Sequence, residues 1–330
     1  MTALYLVEQG SVLHKKGERF VVTKGETVLV DLPAIQIDRV TVFGNCYLTT
    51  QAIAFLLKRG VPVAYLSRLG EYRGRLETGT SGHLTLRQIQ FKLAEDQAFC
   101  LGVAKVIVKG KVANYRTLCL RHKRRFFDLE IARSVRIMKD NIAKVETAED
   151  LNTIRGLEGS SSAVYYKALR KVFKQNLSFT TRTRRPPTDP INALLSLGYT
   201  FLFNSIFAAV TIAGLDPDCG FFHLPRDGHP ALVSDLMEEF RLLVDSLVLS
   251  MINKRILSEE DFSRREERVF LSKESLKKFI EGYDKRINSQ VLDIRTGRRS
   301  TYFQIMEYQA RMFADFLLGK VPSYEPYQIR

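Results

Sequence analysis

Residues 222–241, Phe-His-Leu-Pro-Arg-Asp-Gly-His-Pro-Ala-Leu-Val-Ser-Asp-Leu-Met-Glu-Glu-Phe-Arg, set an imidazole on a turn and several carboxylates on the helix that this turn feeds. Oxygen donors with one imidazole suit a hard divalent cation, Mg²⁺ or Mn²⁺. Phosphodiester chemistry on nucleic acid uses such a cation inside a basic protein. Pro230 fits a first helical turn, and Leu232, Val233, Leu236, Phe240, Leu243, Val244 and Leu247 fall in one arc. That pattern predicts a single helix to Asn253 with the arc packed inward. Asp235 and Glu238, three residues apart, then stand one turn from each other on the complementary side, with Glu239 flanking them and Asp245 further along. Spacing alone also allows a solvated acidic face favoured by the helix dipole. That reading leaves the imidazole unexplained. The loop containing Pro225, Gly228 and Pro230 is suited to fold His223 back toward the helix. His229 is equally available by spacing.

A second candidate carboxylate is Glu158, in the helical stretch Leu151–Tyr166. Gly156, Gly159, Ser160, Ser161, Ser162 and Ala163 surround it, small residues that weaken a helix yet admit a backbone, a metal or a phosphate. An isolated acid there also fits plain surface decoration. Basic residues follow it: Lys167, Arg170, Lys171 and Lys174, then Arg182, Arg184 and Arg185 in a loop that leads through Asp189 and Asn192 into another helix. The loop reads equally as a phosphate contact or a solvated linker.

These residues sit in a basic chain. Fifty Lys and Arg against 36 Asp and Glu give a formal charge of +14 over 330 residues. Two runs contain no acid, from Gln97 to Phe127 (Lys105, Lys109, Lys111, Arg116, Arg121, Lys123, Arg124, Arg125) and from Gly159 to Thr188. One-sign runs of this length predict a surface that tracks a phosphate backbone. With 45% hydrophobic and 26% charged residues the chain can bury a real core, which excludes a disordered polyelectrolyte. Cys46, Cys100, Cys119 and Cys219 lack metal-binding or redox spacing, and no leader precedes the first strand, so reduced thiols in the cytoplasm are expected. The most apolar window, Tyr199 to Leu215, is interrupted by polar residues and predicts a buried helix rather than a membrane span.

Positioning these groups requires two kinds of structure. Ala3–Val7, Arg19–Thr23, Thr27–Asp31, Arg39–Phe43 and Val61–Leu66 read as strands separated by Gly10, Gly17, Gly25 and Gly44. One helix interrupts them, capped by Thr49 or Thr50 and ended by Gly60. After residue 82 the period is helical almost throughout. The expected fold is α+β, with a small β domain over residues 1–85 and a larger all-α domain over residues 86–330. Near the end, Arg295, Arg298 and Arg299 precede an aromatic-rich segment from Tyr302 to Phe316, read as a packed helix with DNA contact or partner docking as alternatives.

Three motifs together carry a resemblance. Ile154-Arg-Gly-Leu-Glu-Gly159, then Arg184-Arg-Pro-Pro-Thr-Asp-Pro-Ile-Asn-Ala-Leu-Leu-Ser196, then Gly220-Phe-Phe-His223 with Asp235-Leu-Met-Glu-Glu-Phe-Arg241, resemble the CRISPR-associated spacer integrases. Phe43-Gly44-Asn45 and the helix near Thr50 extend the similarity into the N-terminal region. The resemblance implies an N-terminal β-sandwich, a helical catalytic domain, a homodimer and a small ferredoxin-like partner subunit. It implies Glu158, His223 and Glu238 as ligands of Mg²⁺ or Mn²⁺, with Asp235 as an auxiliary catalytic carboxylate. Glu238 stands where many members carry aspartate, and His229 falls outside the matched positions. The implied reaction is attack by a DNA 3′-hydroxyl on a phosphodiester of the repeat, with hydrolysis as its nuclease counterpart. Lys167, Lys171, Arg182, Arg184, Arg185, Asn192 and Arg241 would hold double-stranded or branched DNA. Charge alone is equally met by a nucleic-acid-binding subunit without chemistry, and the same site would serve branched repair DNA.

Overall fold

In the computed structural model, residues 2–76, 83–123, 128–175, 177–183, 186–224, 230–266, 268–293 and 297–329 are described. The chain divides into two compact units, Met1–Gly82 and His83–Arg330.

The first unit contains β1 (Thr2–Leu6), β2 (Val12–Lys16), β3 (Arg19–Lys24), β4 (Thr27–Pro33), β5 (Ile37–Phe43), β6 (Tyr47–Leu48), α1 (Thr50–Lys58), β7 (Val63–Leu66) and β8 (Tyr72–Leu76). They form two four-stranded sheets, ordered β4-β3-β2-β6 and β1-β5-β7-β8. The first is antiparallel except where β2 meets β6, and the second is parallel except where β7 meets β8. Leu13, Phe20 and Val22 from one sheet share a core with Leu4, Leu6, Val40, Val42 and Val63 from the other, joined by Ala52 and Leu56 of α1. Two sheets on one core make the expected sandwich. Thr49 caps α1 by accepting from the Ala52 N–H, and Gly60 leaves it at φ 64°. β2, β6 and β8 escape the sequence pattern, because β2 carries two lysines and β6 is only two residues long.

The second unit is built on α2 (Leu84–Ala94), α3 (Gln97–Lys123), α4 (Leu129–Thr147), α5 (Leu151–Arg170), α6 (Pro190–Ile212), α7 (Ala231–Met237), α8 (Arg241–Asn253), α9 (Lys273–Ile287) and α10 (Tyr302–Leu317). It is not wholly α: β9 (Phe262–Arg265) pairs with β10 (Arg268–Leu271), and β11 (Gln290–Asp293) pairs with β12 (Arg298–Thr301), both antiparallel. Four-residue strands are too short for their alternation to register in sequence. Asp128, Asp150 and Asp189 cap α4, α5 and α6 through their carboxylates. Each acid meets orphan N–H groups at the positive helix end.

α6 is long and apolar enough to cross a bilayer, yet 78% of its apolar window is buried within the fold. It serves as the core helix of this unit. Residues 230–253 do not form the single helix expected. Glu238 donates its N–H to Asp235 O at 3.2 Å, Phe240 to Met237 O at 3.0 Å and Leu243 to Phe240 O at 2.9 Å. These bonds span three residues rather than four, so the chain tightens between α7 and α8 and resets the direction of each side chain.

Gly198 of α6 allows a close approach to α8, since a Cβ there would lie 2.5 Å from Val244 Cγ1 and 3.2 Å from Phe279 Cζ. Gly198→Ala is expected to lower stability by about 1–3 kcal/mol through overpacking. A urea midpoint equal to or above that of the parent protein would contradict this.

Candidate active site

Four helical segments of the second unit deliver charge to one place. Lys111 enters from α3, and its ammonium bonds Glu158 Oε1 from α5 and Glu238 Oε2 from the α7–α8 turn, the latter at 2.5 Å. Arg241, the first residue of α8, donates from Nε to Glu238 Oε2 at 2.7 Å. Ser162, one turn beyond Glu158, donates to Glu158 Oε1 at 2.8 Å. The side chains of Lys111 and Glu238 are each 3% exposed, against 22% for Glu158 and 31% for His223. The cluster therefore opens toward solvent on the side of Glu158 and His223.

His223 is oriented by Asp235. Asp235 Oδ2 accepts from the N–H groups of Phe221 (2.7 Å) and Phe222 (3.1 Å), while Oδ1 accepts from the His223 N–H (2.8 Å) and meets Nδ1 at 2.7 Å. A carboxylate only accepts, so Nδ1 carries a proton and Nε2, 3.9 Å from Glu238 Oε1, is left for a second partner. Gly220 permits this wrap, because a Cβ there would stand 2.7 Å from the Ala231 carbonyl carbon and 2.9 Å from Asp235 Oδ2. Arg155 of α5 donates to Phe222 O at 3.0 Å and ties the turn to the helix of Glu158.

The polar layer behind these groups fixes their charge. Burial alone would raise the Glu238 pKa, but Arg241, Lys111 and His223 outweigh it and hold this carboxyl well below the usual range. Arg241 in turn lies over the Tyr199 ring, 4.7 Å from its centroid. Tyr165 donates to Asp245 Oδ2 at 2.8 Å and Tyr199 bonds Asp245 Oδ1. Burial pushes the Asp245 carboxyl up to about 6 despite those bonds. Glu239 points the other way, accepting from Gln309 (2.9 Å), the Tyr327 N–H (2.7 Å) and the Tyr324 hydroxyl.

A family model described as CRISPR associated protein Cas1 matches residues 4–285. The CRISPR-associated endonuclease Cas1 3 of Thermus thermophilus is 34% identical over 330 residues, covering 99% of this chain and 97% of that protein. The chain belongs to the Cas1 family. Among solved structures, a chain of a Cas6-RT-Cas1–Cas2 complex superposes with a TM-score of 0.86 at 26% identity, over all of this chain and 36% of its own length. A casposase bound to integration product has the same fold, with a TM-score of 0.86 at 24% identity over 98% of this chain and 93% of its own.

Against the Cas1 resemblance, the structure brings Glu158, His223 and Glu238 into one neighbourhood. Asp235 is corrected: it is fully buried with both oxygens engaged, so it positions His223 and does not face the opening. Asp235, Glu238, Glu239 and Asp245 are all buried, which removes the solvated-face reading. Of the DNA-binding candidates, Lys167 and Lys171 are exposed, with Lys171 3.6 Å from Glu130. Arg182 is partly buried and binds Asn192 Oδ1 (2.9 Å) and Ser196 Oγ (3.1 Å). Asn192 is corrected: it is fully buried, donates to Thr181 O at 2.8 Å and accepts from the Thr183 N–H at 3.0 Å, so its amide clamps the loop. Arg241 is corrected too, since its buried guanidinium is turned to Glu238 and Tyr199. Arg184, Arg185 and His229 lie outside the described residues.

Sequence reasoning placed Lys111 on a surface track and missed it as a site residue. Its signal was available: Val108, Lys111, Tyr115 and Leu118 share one stripe of α3, and the other three are buried apolar side chains. Among the described residues, no three His, Cys, Asp or Glu side chains already surround one point as metal ligands. Two carboxylates and an imidazole nitrogen nonetheless flank one opening, a donor set suited to Mg²⁺ or Mn²⁺. The point where the carboxylates meet holds the Lys111 ammonium.

Asp245 gives a pH test. Its folded pKa is raised, so its contribution to stability is complete below its ordinary pKa of 3.8 and is lost as pH rises through about 6. Asp245→Asn should gain on the parent protein between pH 4 and 7 by about 2 kcal/mol. A constant difference in urea midpoint across that range would refute the assignment.

Proposed function

We propose that this chain is a divalent-cation-dependent DNA endonuclease and integrase of CRISPR adaptation, inserting captured fragments into a repeat array by 3′-hydroxyl attack on phosphodiesters. The observation that carries this reading is the convergence of Glu158 and Glu238 on one point beside a His223 ring locked by Asp235. Membership of the Cas1 family, whose Thermus thermophilus relative is named an endonuclease, supports it. Glu158, Glu238 and His223 Nε2 would hold Mg²⁺ or Mn²⁺. When bound, such an ion polarises the phosphoryl group and offsets charge on the attacking and leaving oxygens.

The chain's own residues prepare for that chemistry. Arg241 and Lys111 keep Glu238 ionised, so it remains an anionic donor at any working pH. Asp235 holds the His223 proton at Nδ1 and frees Nε2. Lys167 and Lys171 are exposed along α5 and its end, and with Arg184 and Arg185 would hold the phosphate backbone without reading its sequence. The protein would act in the cytoplasm as a homodimer with a small ferredoxin-like partner on double-stranded or branched DNA. The Cas1–Cas2 complex among its structural neighbours supports a partner of that kind.

Glu158→Ala and His223→Ala should each cut strand transfer into a repeat-containing duplex by about a hundredfold or more, while gel-shift affinity for DNA persists. EDTA should act like either substitution. Near-parental strand transfer in both variants, or in EDTA, rejects this function.

A further inference from the structure

Lys111 is buried, and a lysine at this depth is retained only when paired. Its partners are the two carboxylates assigned to the cation above, with Glu238 Oε2 at 2.5 Å. A Mg²⁺ ion sits at about 2.0–2.1 Å from its oxygen ligands and demands a nearly full shell. An ammonium at hydrogen-bond distance occupies a lone pair on one oxygen of each carboxylate and repels the incoming ion, so the two cations compete for the same charge. We propose that Lys111 is an internal counter-cation that holds Glu158 and Glu238 together until a divalent ion displaces it, so that competition with this ammonium sets the affinity of the site. The inference rests on the metal reading proposed above.

The backbone beneath Lys111 is pinned, so any displacement is a swing of the side chain. A Cβ on Gly110 would lie 2.6 Å from Pro326 Cγ. Asn114 donates to Glu239 O and Tyr327 O, both at 2.9 Å, and accepts from the Ile329 N–H at 2.9 Å. Helix α3 is thus gripped on both sides of the lysine. The Tyr115 ring, 5.6 Å from Nζ, offers the ammonium a nearby alternative contact. Without the ammonium, Arg241 would still neutralise Glu238, but among the described residues Glu158 would keep only its bond from Ser162. The excess negative charge would favour a divalent ion and make the fold lean on it.

Lys111→Met keeps the apolar stem and removes the charge. Titration calorimetry with Mn²⁺ on the full chain should show a Kd tightened about tenfold or more relative to the parent protein. The melting temperature of the variant should be lower in EDTA and rise further on adding Mn²⁺. An unchanged or weaker Kd overturns the proposal. The parent protein provides a readout that does not require the variant to fold: acylation of Lys111, followed by peptide mass spectrometry, should increase when Mn²⁺ saturates the site. Equal labelling with and without Mn²⁺ overturns the proposal as well. Equal Mn²⁺ binding by both proteins removes only the role of Lys111, whereas binding by neither removes the metal site itself.

Discussion

Burying a charge is expensive unless an opposite charge is brought with it, and this constraint organises the second unit. Two cations and two carboxylates, Lys111, Arg241, Glu158 and Glu238, occupy one region and are drawn from three separate stretches of chain. No single helix could supply them in this arrangement. α3, α5, the tightened turn and α8 must therefore pack in one register or leave a charge stranded.

The tightened turn between α7 and α8 separates neighbouring acids into different tasks. Glu238 faces Lys111, Arg241 and the opening, while Glu239 faces away into a closed set of hydrogen bonds. Asp235, three residues earlier, is spent on the turn that carries His223. Asp245 sits behind Arg241 among tyrosines, where a neutral carboxyl is favoured well above its ordinary range. Four acids within eleven residues thus have four environments, and only one of them faces the opening.

Much of this is legible in the amino-acid sequence. Strand alternation and glycine punctuation gave the β unit, and Thr49 and Gly60 gave the limits of α1, because those signals are local and steric. Glu158, His223 and Glu238 were reached through motif resemblance, since nothing local relates residues so distant in sequence. The misreadings share one cause. Periodicity reports which residues share a face but not whether the opposite face is also covered, so Asp235 and Asp245 looked solvated although their helices are buried all round. A run of positive charge likewise looked like surface, although Lys111 and Asn114 lie on the apolar side of α3. Asn192 and Arg241 went wrong in the same way, as polar residues whose partners lie inside the fold.

Residues 324–329 seal the rear of this centre through Tyr324, Pro326, Tyr327 and Ile329. A ribosome makes them after every acid and base in the cluster. A nascent chain that has passed Arg241 but not yet reached this segment holds Glu239 and Asn114 without their closing contacts, and Lys111 on a helix not yet gripped. The rear wall of the reactive centre is therefore complete only when this last segment has docked against α3 and the α7–α8 turn.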